Sequence, residues 1–75
     1  MSQSSTPVRS AFARINDAEN DLTEKFGSKN VNFDDENCFV KVEIEDMDDR
    51  VIIETVALEN DLQMYRSGEK FQLTL

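Results

Sequence analysis

The sequence predicts an α+β fold: an N-terminal amphipathic helix packed on a small three-stranded antiparallel sheet, with a short helical turn near residues 60–66. Three stretches carry that expectation. A segment opened by Thr6-Pro7 and closed by Gly27 repeats apolar residues at three- and four-residue spacing. Residues 38–58, CFVKVEIEDMDDRVIIETVAL, read as two β-rich runs on either side of an acidic centre. The last residues, 70–75, alternate apolar and polar again.

Residues 1–5 are polar with nothing to bury, and are expected to form a disordered tail ahead of a single domain over 6–75. Thr6 is a good N-cap, and Pro7 suits the first helical position, where its missing N–H has no partner to lose. Val8, Phe12, Ile15, Leu22 and Phe26 form the apolar stripe, with Ala11 and Ala18 at its edge and Glu19 interrupting it. Gly27, just past Lys25 and Phe26, is the matching stop. The stripe is read as the helix's packing face, with Glu19 reaching to the rim. A short coiled-coil seam between two copies is the competing reading of the same spacing. The connector 28–37 is rich in Asn and Asp, and its alternating Val31 and Phe33 pin it to the core or form an edge strand.

For 38–58 the reading is a β-hairpin that turns at Met47-Asp48. Glu45 then faces Arg50, and Ile44, Val42, Val40 and Cys38 face Val51, Ile53, Thr55 and Ala57, so one face is almost wholly apolar. The other face sets Lys41 against Glu54 and Phe39 against Val56, pairs that each contribute about 0.2 to 1 kcal/mol when directly opposed. A helix from Asp48 to Arg66 is the competing assignment, because Val51, Thr55, Leu58, Leu62 and Tyr65 also have helical spacing. The five β-branched residues within 51–56 favour the strand. Cys38 is expected as a small buried residue on the core face. Asn60 or Asp61 is expected to cap a single helical turn that Gly68 closes. Phe71, Leu73 and Leu75 then line one face of a terminal strand. That strand pairs with a hairpin edge and is itself open to a second copy.

Composition limits the function. A chain of 75 residues buries only about 60% of its unfolded surface, so a partner, most simply another copy, would help it. The single cysteine cannot form an internal disulfide, which suits a reducing compartment. No apolar run approaches the roughly 20 residues of a membrane span, and the polar start lacks a signal peptide's apolar core, so a cytoplasmic protein is expected. There is no histidine, and no nucleotide loop, zinc spacing or nucleophile–base pair stands out, so neither enzymatic activity nor a cofactor is expected. A calcium loop starting at Asp46 requires an oxygen ligand where Arg50 stands, Gly where Val51 stands and Glu where Ala57 stands.

Charge is the strongest signal. Net charge is −8, and residues 34–61 hold eleven acids against two bases, Lys41 and Arg50. Phosphate contact needs Lys and Arg, so direct binding to nucleic acid or to an anionic membrane is not expected, whereas a basic protein surface is complementary. On the hairpin reading, Phe39, Ile52, Val56 and Leu58 stand on the outer face among Lys41, Glu43, Glu45 and Glu54, beside Asp46, Asp48 and Asp49 of the turn. An apolar patch rimmed by acids is the candidate partner-binding site. The expected function is a non-enzymatic acidic interaction module. A small regulator or inhibitor of phage or mobile-element type would engage a basic partner in this way, with its carboxylates standing in for nucleic acid if that partner binds DNA or RNA. The alternative is a homodimeric or otherwise homo-oligomeric accessory subunit whose acids serve solubility.

Overall fold

The computed structural model describes residues 10–75. Its order is α1 (Ala11–Phe26), β1 (Val31–Asp34), β2 (Phe39–Glu43), α2 (Arg50–Glu59), β3 (Gln63–Ser67) and β4 (Lys70–Thr74). Short 3-10 turns, Ser28–Asn30 and Met47–Asp49, precede β1 and α2. The class is α+β as the sequence predicts, but the antiparallel sheet has four strands in the order β1-β2-β4-β3.

The strand pairings set the two faces of the sheet. Val31, Val42 and Phe71 stand abreast, as do Phe33, Val40, Leu73 and Met64, because residues in register across a sheet point the same way. Both helices pack on this face. Val40, Val42, Ile44, Phe71 and Leu73 are buried against Ala18 and Leu22 of α1 and Ile53, Val56 and Ala57 of α2. The opposite face, with Asn32, Phe39, Lys41, Gln63, Tyr65 and Gln72, is covered by no element among the described residues.

Helix α1 follows the expected pattern. Ile15, Ala18 and Leu22 are buried. Glu19 is half-buried and accepts a 3.0 Å hydrogen bond from Thr23 Oγ1, which lets a carboxylate sit at the edge of the apolar stripe. Phe12 is half exposed and leans on Phe33 of β1, ring centroids 6.1 Å apart. Thr6, Pro7 and Val8, and the tail 1–5, lie outside the described residues. The first helical residue described is Ala11, and Ser10 caps it by accepting from the Ala13 N–H at 3.1 Å. Gly27 ends the helix with φ +87°, a conformation that glycine alone adopts without strain.

The hairpin over 38–58 is not formed. Its first half is β2, but its second half is α2. Both flanks of β2 are already taken, by β1 and β4, so residues 50–58 have no strand edge to join. Helical folding instead sets Ile53, Val56 and Ala57 on one buried side. The β-branched residues cost a few tenths of a kcal/mol each in a helix, less than burying two large aliphatic side chains contributes. Thr55 is accommodated by donating its hydroxyl to the Val51 carbonyl at 2.8 Å.

Three further expectations are corrected. Cys38 is half-buried in the loop between β1 and β2 with φ +55°, not on the core face, because that loop must reverse the chain within four residues. Asn60 and Asp61 end α2 instead of starting a turn. Asn60 is buried and donates Nδ2 to the Val56 carbonyl at 2.9 Å, and Asp61 takes φ +55°, so the chain reverses and 63–67 become a strand. Gly68, with φ +63°, then closes a two-residue β3–β4 turn instead of a helix. The terminal strand β4 does pair with β2, but it pairs with β3 as well and is central, so it is no open edge.

Candidate protein-interaction site

The nine residues predicted to bind a partner fall in three places. Phe39 is half-buried on the open face of the sheet, where the Lys41 ammonium stands 5.4 Å from its ring centroid. Glu43 is exposed at the end of β2 on that same face, in register with Lys70 of β4. Val56 is buried in the core and is removed from the site. The hairpin reading had set Phe39 and Val56 side by side. The fold puts the sheet between them, because α2 packs on the face opposite Phe39.

The other six gather at the start of α2. Glu45, Asp46 and Asp48 are exposed, and Asp49 is half-buried immediately before the helix. Asp46 shapes the approach: its carboxylate accepts from the Asp48 N–H at 3.0 Å and its carbonyl from the Asp49 N–H at 2.9 Å, which fixes the 3-10 turn. Asp49, immediately ahead of the helix, meets the positive end of its dipole, which favours a negative charge there. Glu54 follows one turn later, exposed, with a carboxylate oxygen 3.9 Å from Arg50 Nε. Ile52 is half-buried and lines a shallow groove with Lys25 of α1 and Val51, Thr55, Val56 and Glu59 of α2.

The helix adds Val51 and Thr55, which the strand reading assigns to the core face, and leaves Leu58 outside, as that reading also has it. Val51 is 56% exposed and Leu58 82% exposed. With Thr55 between them they occupy positions i, i+4 and i+7, a row opposite the buried Ile53, Val56 and Ala57. Glu54 lies on one side of this row, and Ile52 and Glu59 on the other. The sequence did carry the signal, since Val51, Thr55 and Leu58 belong to the helical spacing that the strand assignment set aside.

Two polar groups elsewhere tie the fold together, Asp34 and Arg14. Asp34 accepts from the backbone N–H groups of Glu36 and Asn37, each at 3.0 Å, and from Asn37 Nδ2 at 3.1 Å. These bonds, the Asn37 side chain first, hold its carboxyl below the ordinary value. Arg14 reaches Asp61 at 3.8 Å and ties α1 to the end of α2. Among the described residues no cluster of three metal-ligating side chains occurs, and no helix is long and apolar enough to cross a membrane. No family model, curated protein or solved structure matches the chain.

Proposed function

We propose that the protein is a non-enzymatic interaction module that engages a basic partner protein through the acidic loop 45–49 and the solvent side of α2. The observation that carries this reading is the row Val51, Thr55 and Leu58, left in water on a helix whose other side is well buried and bordered by Glu54 and Glu59. Apolar side chains supply affinity when they are covered, and the surrounding carboxylates steer and orient a positively charged partner. A second copy is a poorer occupant of this surface, since it would bring the same acids against themselves at a net charge of −8 per chain.

On this reading the protein acts by occupancy, as a small regulator or inhibitor that covers the basic surface of its partner. Where that surface normally holds DNA or RNA, the carboxylates of Glu45, Asp46, Asp48, Asp49 and Glu54 compete for it as a mimic of the phosphate backbone.

The test is capture of a basic protein on the immobilised chain, followed by titration of the purified partner. Wild type is expected to bind at low salt and to release as salt rises. A variant carrying Glu45→Gln, Asp46→Asn, Asp48→Asn, Asp49→Asn and Glu54→Gln is expected to lose most of that affinity while keeping its fold. Leu58→Ser is expected to weaken binding with little change in salt dependence. Binding that ignores both salt and the neutralised variant would overturn the proposal.

A further inference from the structure

The sheet has two edges, and they differ. Strand β1 is four residues long and runs into Asp34, Asp35 and Glu36, and its Phe33 is packed against Phe12 of α1. Strand β3 is five residues, Gln63–Ser67, and carries no acid, no proline and no bulge in its pairing with β4. Natural edges are usually blunted by such features. Residues 62–68 are the longest acid-free run beyond Asp34. This edge is therefore where a chain so acidic repels a copy of itself least.

The hairpin turn decides which backbone groups this edge presents. Ser67 and Lys70 flank the two-residue turn at Gly68-Glu69, where the strands exchange hydrogen bonds, and the alternation of an antiparallel ladder then turns Tyr65 and Gln63 toward β4 as well. Met64 and Arg66 point their N–H and C=O groups the other way, where no strand lies among the described residues.

We propose that the β3 edge is a self-association site, at which β3 of a second copy pairs antiparallel about a two-fold axis to make one continuous eight-stranded sheet. The register that satisfies the outward groups sets Met64 opposite Arg66 of the second copy and Arg66 opposite Met64. Tyr65 then faces its own counterpart on the open face as a non-hydrogen-bonded pair, the closer of the two kinds. Tyr65 is 55% exposed, and with its hydroxyl donating to Gln63 Oε1 at 2.6 Å its ring is held on that face, where it can stack. The register also keeps the two Arg66 side chains apart. At either end Asp61 of one copy comes near Glu69 of the other, so pairing is opposed by charge and promoted by salt. Partner capture at α2 has the opposite salt dependence, so the two proposals fail separately.

Sedimentation velocity of the full chain over a concentration series, in dilute buffer and in about 0.5 M salt, is the primary test. A monomer–dimer equilibrium shifted toward dimer by salt is expected. Arg66→Pro removes an outward N–H without touching the β4 ladder, a position where an edge strand tolerates proline, and should raise the dimer dissociation constant roughly tenfold or more. Tyr65→Cys in a Cys38→Ser background should form a disulfide dimer under mild oxidation, because the two Cα atoms fall within bridging distance, whereas Ser67→Cys in that background should not. If Arg66→Pro proves unfolded by circular dichroism, the cysteine pair decides alone. A monomer at both salt levels overturns the proposal. So does a dimer that Arg66→Pro leaves intact and Tyr65→Cys does not cross-link, which would point to another interface. Protection of the Met64 and Arg66 amides that appears only with a different polypeptide overturns it in favour of a partner strand.

Discussion

The two helices invite comparison because they cover the same sheet and are built on opposite plans. Helix α1 has a side-chain cap at Ser10 and a glycine stop, and its central turns bury Ile15, Ala18 and Leu22 beneath polar residues. Helix α2 has no side-chain cap on its first residue, contains β-branched residues through most of its length and ends on a buried Asn60. It leaves Val51 and Leu58 in solvent. A helix with apolar residues on both sides and acids between them is poorly explained by packing on its own domain. The difference is that α1 turns its central apolar residues to the core, whereas α2 also leaves an aliphatic row in solvent, the row on which the proposed function rests.

The sharpest test of that division is truncation on the two sides of α2. Ile53→Ala should destabilise by about 2 to 5 kcal/mol, as Leu22→Ala should in α1, because both side chains are fully buried. Leu58→Ala should stay within about 0.5 kcal/mol. Denaturant unfolding of the three variants checks this. Equal losses at Ile53 and Leu58 would break the comparison.

The two C-termini give a smaller contrast. Asn60→Ala should cost about 0.5 to 1.5 kcal/mol, the loss of the buried Nδ2 bond to a Val56 carbonyl that keeps its bond from the Asn60 backbone N–H. Gly27→Ala should cost about 1 kcal/mol. An added methyl there meets nothing within 4 Å, so the loss is backbone strain alone. Thermal melts of both variants rank them.

At the N-termini, Ser10→Ala should cost about 1 kcal/mol. Asp46→Asn should leave stability nearly unchanged, because an amide oxygen can still accept from the Asp48 N–H, while it weakens partner binding. That pair of measurements separates the structural role of Asp46 from its charge.

The smallest effect is the pH response of Asp34, at the end of β1. Its folded carboxyl lies below the ordinary value of 3.8. The unfolded chain therefore binds the proton more readily, and the contribution is present above that value and lost as pH falls through the lower native one. The stability advantage of wild type over Asp34→Asn should accordingly be constant near neutrality and vanish in acid, as melts between neutral pH and strong acid would show.

Much of the fold was legible in the sequence. The stripe of α1, the Gly27 stop, the short strand at Val31 and Phe33 and the alternation of Phe71 and Leu73 were local signals that no tertiary contact opposed. Residues 50–59 were misread because Val51, Ile53 and Thr55 alternate as convincingly as Ile53, Val56 and Ala57 recur. What decides between these patterns is that both edges of β2 are filled by strands distant in sequence, a fact with no local trace. The same error assigned Val51 to the core and Val56 to the surface. It did not disturb the acids of 45–49, whose exposure follows from charge whichever way the chain folds beyond them.

The central claim is that the partner meets the loop and α2, not the open sheet. Amide chemical-shift changes on titrating the purified basic partner into labelled protein test it most directly. The account predicts that they concentrate on residues 45–49, Val51, Thr55 and Leu58. Changes confined to Phe39, Lys41, Tyr65 and Gln72, on the other side of the molecule, would contradict it.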